Sequence, residues 1–172
     1  MQCTLAGGET LHTRVIFVFL ALLALANGAP VLLNRILGPR WSYPVDRGLI
    51  LPDSHPLFGS SKTLRGLIAS VVITTISALI LGIAWPLGVL VSALAMVGDL
   101  FSSFCKRRLH MVAGSRATGL DQIPEALFPA FACRGPLGLT ALDIIAIVAI
   151  FLVGEMLLSI VFFKLHLRER PY

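Results

Sequence analysis

The sequence predicts an all-α polytopic membrane protein. It should have five transmembrane helices, two polar cytoplasmic loops, an outside N-terminus and a cytoplasmic C-terminus. Three observations lead there. Of 172 residues, 56% are hydrophobic and only 13% charged, about half the roughly 25% charge of a soluble domain, and mean hydropathy is +0.88. Several apolar stretches approach the roughly 20 residues a helix needs to cross a hydrocarbon core. The cations are also segregated. Arg35, Arg40, Arg47, Lys62 and Arg65 lie in or beside a first polar loop. Lys106, Arg107, Arg108 and Arg116 lie in a second, and Lys164, Arg168 and Arg170 in the tail. These 12 of the 14 Lys and Arg residues belong together on the cytoplasmic side by the positive-inside rule. Only Arg14 and Arg134 remain for the other face.

One integral-membrane domain over 1–172 is expected, with spans near 15–37, 64–83, 87–104, 121–134 and 138–163. The first contains VIFVFLALLALANGAPVLL. Arg14, the apolar core and ALANGA also read as a cleaved signal peptide, but the apolar run continues through Val31, Leu32 and Leu33, long enough to span. Pro30 should kink it, and Asn27 reads as interhelical glue. Gly38 to Thr63 is rich in Pro and Gly and reads as a loop. In the second span Gly66, Ser70, Thr74, Ala78 and Gly82 recur every four residues, a stripe that lets another helix approach closely. Trp85-Pro86 suits an interfacial turn, and Leu87 to Phe104 is the third span. Cys105 to Gly119 is expected as the second polar loop. Asp121 to Ala132 is a short helix, and Arg134-Gly135-Pro136 breaks the chain. Thr140 to Phe163 is the last long span, followed by KLHLRERPY. Two crossings must separate the second loop from the tail, so the short helix has to cross or re-enter. Its 12 residues reach only about 18 Å.

Composition removes several function classes. Cys3, Cys105 and Cys133 are odd in number with no CxxC pair, which argues against a disulfide framework or zinc site. The net charge of +5 comes from residues between apolar segments, not from a soluble basic face, so nucleic acid is not the expected partner. GSSKT lacks the spacing of a phosphate-binding P-loop. His12, His55, His110 and His166 are scattered and need no function.

Chemistry concentrates where the third span ends, in GDLFSSFCKRR, and just after, in TGLDQIPEALF. Asp99, Ser103 and Lys106 stand at i, i+4 and i+7 and share one helical face, with Ser102 beside them. Arg107 flanks that face and Arg108 points away. If the helix opened by Asp121 is an antiparallel neighbour, Asp99 and Asp121 meet at the cytoplasmic surface. Two carboxylates with hydroxyls are hard oxygen ligands that suit Mg²⁺ bridging to phosphates. The cations suit phosphate oxygens. Lys62 and Arg65 begin the second span just after Gly59 and two serines, and a helix N-terminus favours phosphate. Each part also has a plain reading. Asp121 can simply cap its helix, and KRR can serve orientation alone. Asp99 is harder to dismiss, since an acid at a membrane boundary is costly without a partner. Glu155 sits deep in the last span, either as a functional acid or as a hydrogen-bonding carboxyl within the bundle.

ANGAPVL, PVDRGLILPDSHPLFGSSKTLRG, GDLFSSFCKRR and GLDQIPEAL together resemble the CDP-archaeol synthase family, over about Ala26 to Leu127. More distantly they are similar to CDP-diacylglycerol synthases. The chain departs from the archaeal pattern at Ser54, where glycine is common, and at Ser60-Ser61, where GDGKT is common. The diacylglycerol enzymes' KD and HGG elements are absent from the second loop. The resemblance implies an integral-membrane cytidylyltransferase. With Mg²⁺ it would move CMP from CTP to a lipid phosphate, digeranylgeranylglyceryl phosphate-like or phosphatidate-like, and release pyrophosphate.

The candidate site is Asp99, Asp121 and Lys106 as catalytic residues, with Asp99 and Asp121 also as metal ligands. Lys62, Arg65, Ser103 and Arg107 are candidates for substrate binding. The expected setting is the cytoplasmic membrane with the site facing the cytoplasm. Expected partners are CTP, the lipid phosphate and the bilayer; oligomeric state is left open, a homodimer included. A non-catalytic membrane binding or assembly protein, or a small transporter, is the alternative, its cationic loops serving orientation and anionic lipid.

Overall fold

In the computed structural model, which describes residues 2–4, 10–115 and 117–164, the chain is a helical bundle with one small β-ribbon. The elements are β1 (Gln2–Thr4), β2 (Thr10–His12), α1 (Thr13–Leu37), α2 (Leu64–Ile80), α3 (Trp85–Arg108), α4 (Gln122–Ala132), α5 (Arg134–Leu137) and α6 (Ala141–Lys164). The antiparallel ribbon β1–β2, with Cys3 opposite Leu11, is an element the all-α expectation omitted. Arg116 and the tail from Leu165, both part of the orientation argument, lie outside the described residues.

Three helices, α1, α3 and α6, are long and apolar enough to cross a membrane. The 17 residues of α2 reach about 25 Å and the 11 of α4 about 16 Å. Both are shorter than a roughly 30 Å hydrocarbon core.

α1 continues through Pro30 as one helix, and Asn27 Nδ2 is buried without a hydrogen-bond partner among the described residues, so it is not the expected glue. α2 buries Gly66, Ser70, Thr74 and Ala78, the face anticipated from the small-residue stripe. Gly82 is not part of it: it lies beyond the helix, at φ 74°. The Ser70 and Thr74 hydroxyls find no hydrogen-bond partner among the described residues, so this face works by close packing. A Cβ placed on Gly88 would stand 2.8 Å from Ala78 Cβ and 2.9 Å from Thr75 Cα. One on Gly66 would stand 3.1 Å from Pro30 Cβ. Between helices in lipid, such close packing replaces the hydrophobic drive that water supplies elsewhere.

Three boundaries differ from expectation. Cys105–Arg108 belong to α3, because the helix gains a cationic last turn that suits its dipole. Asp121 does not cap α4 through its side chain. Arg134–Leu137 form a helical turn, α5, and the chain reverses at Gly138 in left-handed backbone at φ 63°, which glycine adopts without strain.

The two ends of the bundle are tied differently. At one end His12 Nδ1 stands 2.8 Å from Asp143 Oδ2, and His12 N–H donates to Asp143 Oδ1 at 3.0 Å. This joins the start of α1 to the start of α6. At the other end the two polar loops meet. Arg108 contacts Asp53 at 2.7 Å, donates to Pro56 O at 2.7 Å and lies over the Phe104 ring. His55 Nε2 faces His110 Nδ1, so two histidines far apart in sequence are neighbours.

The tightest contact in the bundle is at Gly98. A Cβ there would stand 2.5 Å from the carbonyl carbon and oxygen of Pro124 and 2.7 Å from Glu125 N. These are backbone atoms with nowhere to retreat. Gly98→Ala should therefore cost at least the ~1–3 kcal/mol typical of core overpacking. In detergent the variant is expected to melt at lower temperature than an Ala substitution at open Gly154; equal melting would show that α3 and α4 can part without penalty.

Candidate functional site

The site assembles where the lower half of α3 meets loop one and α4. Loop one is a folded excursion. Val45 N–H donates to Lys62 O at 2.8 Å and Leu64 N–H to Tyr43 O at 3.0 Å, so the segment entering α2 is paired to the start of the loop. Thr63 is the N-cap of α2, extended at φ −116°, with its side chain accepting from Gly66 N–H at 3.3 Å. That pairing aims Lys62 inward. Its Nζ stands 2.5 and 2.6 Å from the two oxygens of Asp99. A half-buried carboxylate with a cation on both oxygens is the partner expected of an acid at a membrane boundary.

Two helical turns on, Lys106 Nζ is 2.7 Å from Asp121 Oδ1 and donates to Ser115 O at 2.8 Å. Both Lys106 and its neighbour Arg107 are buried, at 6% and 3% exposure. Asp121 Oδ2 accepts from Ala117 N–H at 3.0 Å. Asp121 Oδ1 is held by the Lys106 ammonium and has no further hydrogen-bond donor among the described residues. Arg107 donates to Val112 O at 2.8 Å and lies in the field of Asp121, while its Nε is buried without a partner among the described residues. A guanidinium N–H with no acceptor among the described residues thus lies buried beside an ion pair, an unfavourable arrangement for a fold alone. Ser103 is buried on the same face of α3.

Asp99, Ser103, Lys106 and Arg107 therefore share the site anticipated for them, and Lys62 joins it from loop one. The two aspartates are not placed as a shared pair: each has its own lysine. Arg65, expected beside Lys62, turns instead to the end of α1. It donates to Asn34 Oδ1 at 2.5 Å, to Gly38 O at 2.6 Å, and to Arg40 O. These acceptors are the Asn34 side chain and two carbonyls just past the end of α1, and the negative end of the helix dipole there adds to their attraction for a cation.

Two carboxyls at the site escaped the sequence reading. Glu125, buried on α4, lies in the fields of Asp99, Lys62 and Glu155. Its signal was weak, one acid after a proline. Glu155, on α6, lies in turn in the field of Glu125. Asp46 is the second. Its Oδ1 accepts from Gly48 N–H at 3.0 Å and its Oδ2 from Phe58 and Gly59 N–H, both at 2.9 Å. The Asp-Arg-Gly turn signal was present in PVDRGL, but the reach across to Phe58 and Gly59 is tertiary. Gly59, at φ 93°, brings loop one against Ala113 and Arg107. The departure at Ser54 is also explained. Ser54 stands at φ 63°, the left-handed region that glycine favours, so serine keeps the glycine's backbone at a modest steric cost.

Among the described residues no three His, Cys, Asp or Glu side chains come together as a metal site by themselves. The donor chemistry still suits a divalent cation held jointly with a nucleotide, since magnesium ordinarily takes one or two carboxylates and completes its shell with phosphates and water. The Asp121 carboxylate, beside the buried Lys106 and Arg107, is such a donor.

Fold and site together are those of an integral-membrane enzyme whose charges are gathered at one end of a helical bundle. The comparisons with known proteins agree. The family model CarS-like: CDP-archaeol synthase matches residues 83–172. The CDP-archaeol synthase of Pyrobaculum arsenaticum is 40% identical over 116 residues, covering 63% of this chain and 69% of that protein. That of Sulfurisphaera tokodaii is 34% identical over 135 residues, covering 75% and 81%. A solved intramembrane enzyme for archaeal membrane lipid biosynthesis superposes with a TM-score of 0.69 at 29% identity, over 83% of this chain and 91% of that one. The chain belongs to the CDP-archaeol synthase family.

Asp46 carries a pH dependence. Burial on its own raises its carboxyl, but the amides of Gly59, Phe58 and Gly48 outweigh burial and hold it below the ordinary carboxylate range. The sign follows from a depressed folded value. The stabilisation is present above the unfolded value near 4 and is lost as pH falls through the lower folded value. Limited proteolysis within loop one should therefore accelerate below about pH 4. Asp46→Asn should already be loosened at pH 7, by about 1–3 kcal/mol, with a flatter acid response. An unchanged cleavage profile in Asp46→Asn would show that the carboxylate does not hold the loop.

Proposed function

We propose that this protein transfers CMP from CTP to a membrane lipid phosphate, giving a CDP-lipid and pyrophosphate in lipid biosynthesis. Family membership supports the reaction. The observation in the molecule that supports its location is the pairing of Lys62 with Asp99 and of Lys106 with Asp121, beside an arginine whose Nε has no hydrogen-bond partner among the described residues. In the reaction a lipid phosphate oxygen attacks the α-phosphorus of CTP, and the bond from that phosphorus to the bridging oxygen of the β-phosphate breaks in line. No covalent protein intermediate is required, so positioning and charge stabilisation carry the chemistry.

Each residue then has a task. Lys62, Lys106 and Arg107 neutralise phosphate charge, and Arg107 Nε is a donor held ready for an oxygen. Ser103 lies on the substrate face. Asp99 and Asp121 keep the lysines oriented before the nucleotide arrives. Asp121 would also hold the cofactor, which we assign as Mg²⁺; Asp99, paired with Lys62 two helical turns away, would join it only after leaving that lysine. When bound it would offset charge on the triphosphate and favour departure of pyrophosphate.

The proposed setting is the cytoplasmic membrane, with the whole chain as one domain crossing five times, both loops and the C-terminus inside. Two features support it: the 12-of-14 cation distribution, and the His12–Asp143 contact, which sets α1 and α6 parallel. With α6 parallel to α1 and the polar loops meeting at the other end, α4 has to carry the chain back across. Membrane-impermeant thiol labelling of single cysteines from outside should miss both loops. External labelling of either one would sink the topology.

The activity is tested in membranes with labelled CTP, Mg²⁺ and a panel of lipid phosphates. Asp99→Asn and Asp121→Asn are each expected to lower turnover by about 10²–10³-fold, the scale for losing one preorganised charge-stabilising group, while membrane insertion is unchanged. A folded variant with full activity would remove that aspartate from the reaction. No transfer to any lipid phosphate by the unsubstituted protein would favour the binding-protein alternative.

A further inference from the structure

Loop one and the start of α2 also form an open cavity of about 460 Å³, lined by Tyr43, Pro44, Arg47, Gly48 and Leu64. None of these residues belongs to the ion-paired site. The cavity stands at the head of an outward stripe on α2. Leu64, Ile68, Val72 and Ile76 are 43%, 64%, 49% and 53% exposed and recur every four residues. They are offset by two positions from the buried Gly66, Ser70, Thr74 and Ala78, so they occupy the opposite face. One face of α2 is for the bundle and the other is for lipid chains.

Exposed Tyr43 and Arg47 line the cavity with Leu64, and exposed Trp41 and Arg40 stand beside them in the chain. Neither guanidinium has an ion-pair or hydrogen-bond partner among the described residues. An apolar helix face, aromatic rings and cations together are the composition met where the hydrocarbon core gives way to the head groups. Trp41 and Arg47 are held at φ 53° and 49°, a conformation L side chains rarely adopt. The fold tolerates this at the two positions that display an aromatic ring and a free cation. A single arginine lines the cavity, and one guanidinium matches a head group with one negative charge. A phosphate monoester, with nearly two, finds better neutralisation among Lys62, Lys106 and Arg107.

We propose that this cavity binds an anionic phosphodiester lipid of the surrounding bilayer, with its phosphate on Arg47 and its chains along the outer face of α2. The lipid would be a resident partner, distinct from the lipid that is cytidylylated.

The chain has two tryptophans. Trp85 is exposed at the other end of α2's hairpin, so Trp85→Phe leaves Trp41 as the only reporter. That protein is reconstituted in phosphatidylcholine vesicles containing increasing fractions of lipid brominated near the head group. The brominated lipid is phosphatidylglycerol, phosphatidylcholine or phosphatidate. Brominated phosphatidylglycerol is expected to half-quench Trp41 at a mole fraction about fivefold lower than brominated phosphatidylcholine, the effect of one interfacial arginine. Arg47→Gln should bring the two curves together, whereas Arg14→Gln, which removes the same charge elsewhere, should leave them apart. Coincident curves in the parent, or a preference that survives Arg47→Gln, would overturn the proposal. So would much stronger quenching by phosphatidate than by phosphatidylglycerol, which would make the cavity an entrance for the substrate.

Discussion

The charged site of this protein depends on how closely α4 can lie on α3. At Gly98 the two backbones meet so closely that a single added carbon would stand 2.5 Å from Pro124. The next residue on α3 is Asp99 and the next on α4 is Glu125. The missing side chain at Gly98 therefore brings Glu125 into the field of Asp99. The same approach, one turn back along α4, lets Asp121 reach Lys106. In lipid there is no hydrophobic gain from pressing two apolar helices together, so contact at this distance, with the polar bonds it permits, is what favours the pairing.

Charge is then handled pairwise. Lys62 with Asp99, Lys106 with Asp121 and Arg108 with Asp53 each place a cation against an acid. Truncating one partner of a desolvated pair leaves the other uncompensated and is strongly destabilising. All three pairs bind separate stretches of chain, at two joints. Lys62 and Arg108 hold loop one to α3, and Lys106 holds α3 to the start of α4. A third constraint, Asp46 accepting three backbone amides, shapes loop one so that Lys62 leaves it in the right direction. A site able to bind a polyphosphate needs cations that are charged yet not collapsed onto one another, and these carboxylates keep them apart.

Much was legible in the chain alone. Apolar length identified the long helices, and the four-residue stripe on α2 identified its buried face. Heptad-scale spacing put Asp99, Ser103 and Lys106 on one side of α3, where Ser103 and Lys106 are now seen buried. The motifs also carried the family resemblance that the comparisons bear out. Less legible were Glu125, Asp46 and Asp143, each a single acid among apolar or turn residues. Their partners lie 131 residues away for Asp143 and 13 away for the farthest bond of Asp46.

The sequence by itself determined membrane residence, the order of the helices, which faces are small or polar, and the end of the bundle where charge collects. These follow from local composition and from the fixed angle between successive residues on a helix. Only the tertiary structure decided which charge meets which: Lys62 with Asp99, Arg65 with the end of α1, and Asp121 with Lys106 and not with a helix-capping amide. Partner choice depends on backbone separation between helices and on the path of a 26-residue loop from Gly38 to Thr63. A long side chain such as Arg65 can turn toward either of two attractive neighbours, and periodicity carries no information about which is nearer.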